Sequence, residues 1–205
     1  RQRIVSVIAK TGGHLASSLG AVDLAIALHY CLDAPRDIII WDVGHQAYAH
    51  KILTGRNKDF DRIRQWKGIS GFPSAAESVF DPFTMGHSST SVSLALGMAA
   101  ARDLHQGHEK IVAIIGDGSL SGGMCFEALN QVGHLKANIM VVLNTNEMSI
   151  SPNVGALSNY MNKIISQPVY NRIKYAIENF MKLRIPRIGP RLTKLADRFE
   201  EMLKG

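Results

Sequence analysis

The fold is decided by Ile111-Val112-Ala113-Ile114-Ile115-Gly116-Asp117-Gly118, followed one helix-length later by Ile139-Met140-Val141-Val142-Leu143-Asn144-Thr145-Asn146. Both apolar runs are short and continuous, without polar alternation. That is the pattern of a strand covered on both faces, as in parallel sheets. The intervening residues, about 121–134, read as a helix. Strand, helix and strand make a βαβ unit, and a right-handed crossover sets the C-terminal ends of its strands side by side. Asp117 and Asn146, 29 positions apart, therefore project from one sheet edge. Open α/β sheets bind their ligands at that edge.

Working outward, Ile38-Ile39-Ile40-Trp41-Asp42-Val43 is a further buried strand. It ends in Gly44-His45-Gln46 and enters a helix through Ala47, Ala49 and Ile52. Residues 1–10 and 21–32 read as helices joined by the small-residue segment 11–20, where the backbone can approach a ligand closely. Residues 55–85 are loop-rich, broken by Gly68, Gly71, Pro73 and Pro82. Gly86-His87-Ser88-Ser89-Thr90 then leads into an Ala-rich helix reaching about Arg102. The expected class is α/β: a three-layer parallel sheet with helices on both faces. Residues 1–160 form the binding domain, and 161–205 a basic, partly helical, mobile segment of it, with a charged amphipathic helix at 191–204.

Composition narrows the function. Hydrophobic residues make up 46% and charged residues 20% of 205, as in a soluble globular protein. No apolar run approaches a membrane span, and the N-terminus is no signal peptide. Cys31 and Cys125 have no metal-knuckle spacing, so reduced thiols in the cytoplasm are expected. The net charge of +6 lies within residues 163–205, where ten Lys/Arg meet four Asp/Glu. With few aromatics and no RNA-binding signature, a solvated or phosphate-facing surface is favoured over a nucleic-acid partner. The chain opens at Arg1 rather than Met, which suggests a processed, trimmed or partial chain.

Residue chemistry then points to a site. Magnesium takes about six oxygen ligands and commonly bridges phosphates while using one or two protein side chains. Asp117 supplies a charged oxygen and Asn146 a neutral one. Gly116 and Gly118 permit close backbone approach, and a helix starting near Leu120 would turn free N–H groups toward an anion. Taken alone, Gly-Asp-Gly is better read as a tight strand-to-helix turn with Asp117 as a cap. The second strand end at Asn146 favours the metal-diphosphate reading. His45, directly after a strand and a glycine, suits a site, whereas His14 in its small-residue loop is open to either reading. His29, His105, His108 and His134 lack such context and read as ordinary surface or interface residues.

The spacing of Gly116-Asp117-Gly118 and Asn146 resembles the thiamine diphosphate signature of the transketolase superfamily. Residues 116–124, 126–130 and 146–151 resemble more specifically the 1-deoxy-D-xylulose-5-phosphate synthase family. So do Asp42-Val43-Gly44-His45-Gln46-Ala47-Tyr48, His50-Lys51-Ile52-Leu53-Thr54-Gly55-Arg56 and Gly86-His87-Ser88-Ser89-Thr90-Ser91. The likeness runs from about residue 2 to 160.

That likeness implies a thiamine diphosphate-binding fold and a homodimeric, cytoplasmic transferase (plastid-type if eukaryotic). It implies condensation of pyruvate with glyceraldehyde 3-phosphate to 1-deoxyxylulose 5-phosphate, with loss of carbon dioxide, for isoprenoid-precursor and thiamine biosynthesis. Asp117, Asn146 and the Met148 carbonyl would ligate Mg2+, and Gly118 and Ser119 would lie along the diphosphate. His45, Gly86, His87 and Ser88 would contact the cofactor, and His14 would face the substrate. The family usually has Asp where this chain has Thr145; its side chain should point away from that of Asn146, so the ligand stands and metal affinity shifts modestly. The family's activating glutamate belongs to a later pyrimidine-binding domain that nothing here resembles. The expectation is an N-terminal part, inactive alone, that works with the rest of the synthase chain. The rivals are another transketolase-like enzyme and a non-catalytic cofactor-binding or dimerisation module.

Overall fold

A computed structural model describes residues 1–145. Three parallel strands, β1 (Ile38–Trp41), β2 (Ile111–Gly116) and β3 (Met140–Asn144), lie in the order β1-β2-β3. Their register runs Ile40 to Ala113 to Val141 and Trp41 to Ile114 to Val142, with Gly116 opposite Asn144. The chain therefore leaves β2 and β3 at the same edge, at Asp117 and Thr145.

Both crossovers step in the same direction along the sheet. Right-handedness then requires their helices on the same face. The long crossover helices α5 (Ser91–Leu104) and α7 (Gly123–Leu135) do pack against each other, and α5 covers β2. Small residues let α5 lie close to the sheet: Val92, Ala95 and Ala99 recur at helical spacing and are buried, as are Cys125 and Ala128 of α7. The opposite face is covered by the helices that precede the sheet, α1 (Gln2–Thr11), α2 (Leu15–Gly20) and α3 (Val22–Cys31). Ile4, Val7, Ile8, Ala25 and Leu28 join Ile39, Trp41, Val112 and Ile114 in one core. Alternate strand residues thus serve two different helix layers. The expected three-layer α/β sheet is present.

Several boundaries differ from the expectation. Segment 11–20 contains helix α2 and is not wholly a joint. Strand β1 stops at Trp41 because Val43 turns into the left-handed region, at φ 57°. The next helix, α4 (Tyr48–Lys51), runs on into a wide turn, Ile52–Arg56, opened at Gly55. After β2 the expected single helix is two: a four-residue turn, α6 (Asp117–Leu120), then α7. Residues 55–85 are irregular apart from the turn at Phe60–Arg62, in agreement with their glycines and prolines. The basic segment 161–205 lies outside the described residues. Among the described residues no helix is long and apolar enough to cross a membrane.

Ile114 is fully buried between the helix layers. Its replacement by alanine is expected to lower unfolding free energy by about 2–5 kcal/mol, read from the urea midpoint at unchanged slope.

Candidate active site

The site begins with a buried carboxylate. Asp42, one residue beyond β1, is 1% exposed and accepts from two backbone donors: Ser89 N–H to Oδ1 and Ser91 N–H to Oδ2, each at 2.9 Å. A helix N-terminus needs such an acceptor, because its first N–H groups have no partner in the helix. Thr90, the N-cap of α5, does not serve: its hydroxyl donates to the His87 carbonyl. Asp42 caps α5 from a different segment, and its negative charge suits the positive end of the helix.

This capping holds Ser89 at φ 68° and sits beside Val43 at φ 57°. Such conformations cost on the order of 1–3 kcal/mol each in non-glycine residues and persist only where surroundings enforce them. With its backbone fixed, Ser89 donates its hydroxyl to the Ser119 carbonyl at 2.7 Å. A side-chain carbon on Gly122 would collide with Ser89, so glycine is required at that contact. The 86–89 loop and the Gly116-Asp117-Gly118-Ser119 turn are thereby joined.

A second cluster forms beside them. Ser18 donates to the His45 carbonyl at 2.9 Å, and the Gln46 side-chain amide donates to the Asp42 carbonyl at 3.0 Å. Tyr48 accepts from the His14 backbone N–H at 3.2 Å. The His14 and His45 rings meet edge-on with centroids 5.4 Å apart, and Phe72 lies 6.0 Å from His14. Burial, then the nearby Arg64 cation, lowers the His14 pKa below its ordinary value. Burial also lowers that of His45, reinforced by His14 and opposed by Asp42. His45 Nδ1 is buried and has no hydrogen-bond partner among the described residues, an atom open to a bound group.

His14 and His45 thus meet in one cluster, Ser119 is tied to the 86–89 loop, and Asp42 secures that loop at the end of β1. Gly86, His87, Ser88 and Gly118 are exposed. Asp117 lies in the first turn of α6, so the sequence-based picture of a helix near Leu120 is replaced by a shorter turn that begins at the aspartate itself. Asn146 and Met148 lie outside the described residues. Among the described residues no group of three acidic, His or Cys side chains is assembled for a metal.

Two expectations change. His29 is no ordinary surface residue: its ring bonds to buried His50 at 2.9 Å, and burial, then the neighbouring His50, lowers its pKa to about 4. By sequence Asp42 is only one member of the 42–48 motif, yet in the structure it organises the 86–89 loop. Its signal was a charged residue in a run of apolar ones, ahead of a glycine.

Parallel strands whose C-terminal ends gather an aspartate-bearing glycine turn and a histidine cluster define an α/β ligand-binding fold shared with transketolases. The transketolase of Campylobacter jejuni superposes with a TM-score of 0.64 at 22% identity, covering 84% of this chain and 30% of that one. A transketolase variant of Pichia stipitis gives the same TM-score over 72% of this chain and 26% of that one. The chain belongs to the 1-deoxy-D-xylulose-5-phosphate synthase family, whose N-terminal model matches residues 1–205. The 1-deoxy-D-xylulose-5-phosphate synthase of Syntrophotalea carbinolica is 60% identical over the whole chain, and synthase 1 of Geobacter sulfurreducens 55%. The chain spans 32% of the length of each of these relatives.

Replacing Asp42 by alanine leaves two buried N–H groups without acceptors, at about 1–3 kcal/mol each. Faster hydrogen exchange at the Ser89 and Ser91 amides is expected, and unchanged exchange there would refute the capping role. The His14 and His45 imidazoles are expected to be neutral at pH 7. Their ring-proton titrations by NMR should show midpoints below the ordinary histidine value of about 6.5.

Proposed function

We propose that this chain is the magnesium- and diphosphate-binding part of a thiamine diphosphate-dependent synthase. The complete enzyme condenses pyruvate with glyceraldehyde 3-phosphate to 1-deoxyxylulose 5-phosphate and releases carbon dioxide. It acts in the cytoplasm as a homodimer, supplying isoprenoid-precursor and thiamine synthesis. The observation that carries this reading is the Ser89–Ser119 bond, which joins the 86–89 loop to the aspartate-bearing turn at the sheet edge.

The residues suit the cofactor. Asp117, with Asn146 and the Met148 carbonyl, would hold Mg2+. A hard divalent ion of this kind accepts few protein ligands when phosphate oxygens complete its shell, in keeping with the single carboxylate at this turn. Gly118 and Ser119 would lie along the diphosphate, and Gly86, His87 and Ser88 would border it from the facing loop. The buried Nδ1 of His45, without a hydrogen-bond partner among the described residues, supports a cofactor contact. Thiamine diphosphate supplies the carbanion chemistry when bound; the protein orients and tunes it. His14, held neutral, can accept a proton from a substrate oxygen or donate its ring N–H to one. The group that activates the cofactor's pyrimidine is contributed by the remainder of the synthase chain.

In the full-length protein, Asp117→Ala is expected to weaken magnesium-dependent thiamine diphosphate binding by about a hundredfold or more, measured by calorimetry. An unchanged affinity would sink the metal assignment. Residues 1–205 in isolation are expected to form no product from pyruvate and glyceraldehyde 3-phosphate; turnover by them would refute the partial-site reading.

A further inference from the structure

The segment His50–Arg56 carries more buried charge than the cofactor site needs. His50, Lys51 and Arg56 are at most 6% exposed and all turn toward the 70–81 loop. Lys51 Nζ meets Glu77 Oε2 at 2.6 Å, and Arg56 forks onto both carboxylate oxygens of Asp81 while also lying 3.7 Å from Glu77. His50 Nε2 is 2.8 Å from Asp81 Oδ1, and His29 Nε2 is 2.9 Å from His50 Nδ1. An ionised carboxylate can only accept, so His50 carries its proton on Nε2 and receives one bond from His29 on Nδ1. Burial alone would raise the Asp81 pKa; the bonds from His50 and Arg56 outweigh it and hold Asp81 ionised far below the usual carboxylate range. Two cations face two anions around a neutral histidine, and the cluster is balanced.

Balance does not make it a source of stability. Desolvating ion pairs costs about what their attraction returns, and apolar replacements of equal volume are often as stable. What such a cluster does supply is direction. Each carboxylate also accepts from the backbone: Glu77 from Ser70 N–H through the oxygen that Lys51 leaves free, and Asp81 from Ser74 N–H at 2.8 Å through the Oδ2 it shares with Arg56. Those two bonds bracket Gly71, Phe72 and Pro73. Between them, the Phe72 N–H donates to Ser70 Oγ at 3.1 Å, and Pro73 presses on Gly44, where any side chain would collide with its ring. The Pro73 carbonyl accepts from Met85 N–H at 3.0 Å, immediately before Gly86. The clamped segment thus reaches both loops of the candidate site, and its one aromatic ring lies against His14.

We propose that Lys51, Arg56 and His50, acting through Glu77 and Asp81, position Phe72 as an apolar wall beside His14, and that this wall sets how large a 2-oxo acid donor the site admits. The inference rests on His14 facing the substrate, as read above. Phe72 is the specificity-determining residue, and the five charged and imidazole groups are positioning residues that touch no substrate. An apolar wall discriminates one methylene by about ten- to two-hundredfold. Pyruvate is therefore compared with 2-oxobutanoate, its homologue longer by one methylene.

The test uses the full-length synthase and follows the ratio of kcat/KM for 2-oxobutanoate to that for pyruvate. Phe72→Ala is expected to raise this ratio about tenfold, with thiamine diphosphate affinity within about twofold of wild type. Phe72→Leu, which keeps most of the wall, should return the ratio to near its wild-type value. The paired replacement Lys51→Met with Glu77→Leu removes both charges together, which protects folding, but loses the bond to Ser70. It should move the ratio in the same direction and add little to Phe72→Ala, since coupled sites are not additive. A Phe72→Ala enzyme with an unmoved ratio, or a paired variant with the wild-type ratio, overturns the proposal. A wild-type protein that neither binds thiamine diphosphate nor consumes pyruvate overturns the functional reading and this inference with it.

Discussion

Asp42 stands where three parts of the structure meet. One carboxylate, buried at the end of β1, caps the helix that crosses to β2 and fixes the loop that borders the aspartate-bearing turn. Its two oxygens replace a local cap that Thr90 does not supply. Because the cap comes from the residue that follows β1, the α5 N-terminus is set relative to the sheet edge and not merely stabilised within its own helix. The left-handed Ser89 follows, and through its hydroxyl so does the position of Ser119. A chain of three residues thus carries position from the first strand to the turn after the second.

The same logic recurs on a larger scale in the 70–81 loop. Irregular segments hold their shape poorly because they lack a ladder of backbone bonds. Here Glu77 and Asp81 provide substitutes, anchored by Lys51 at the end of α4 and by Arg56 in the turn that follows it. Buried charge is a costly means of holding a loop, and its compensation is directional: carboxylate oxygens bind chosen N–H groups, which apolar packing cannot do. Both devices put acceptors beneath loops that face the sheet edge, where α/β proteins of this kind bind ligands.

Much of this could be read in the chain itself. Continuous apolar runs at 38–41, 111–115 and 140–143 mark strands covered on both sides, and the helix between the last two fixes their parallel direction. Gly116-Asp117-Gly118 marks the turn at the edge. Less was legible where an element depends on contacts from elsewhere. Val43 belongs by composition to its strand, yet its left-handed backbone ends β1 two residues early. His29 shows no pattern that separates it from a surface histidine, because its partner is 21 positions away on another helix.

Sequence alone determined the layering, the crossover, the family and the residue types at the sheet edge, since these follow from local periodicity and short-range order along the chain. Tertiary structure decided which of those residues act together. Asp42 finds its donors 47 and 49 positions later, and His14 meets His45 across a loop. Lys51 and Arg56 acquire meaning only beside Glu77 and Asp81. The physical reason is that a hydrogen bond or ion pair depends on distance in space and on exclusion of water. Neither quantity is carried by the order of residues until the sheet and its two helix layers have closed around them.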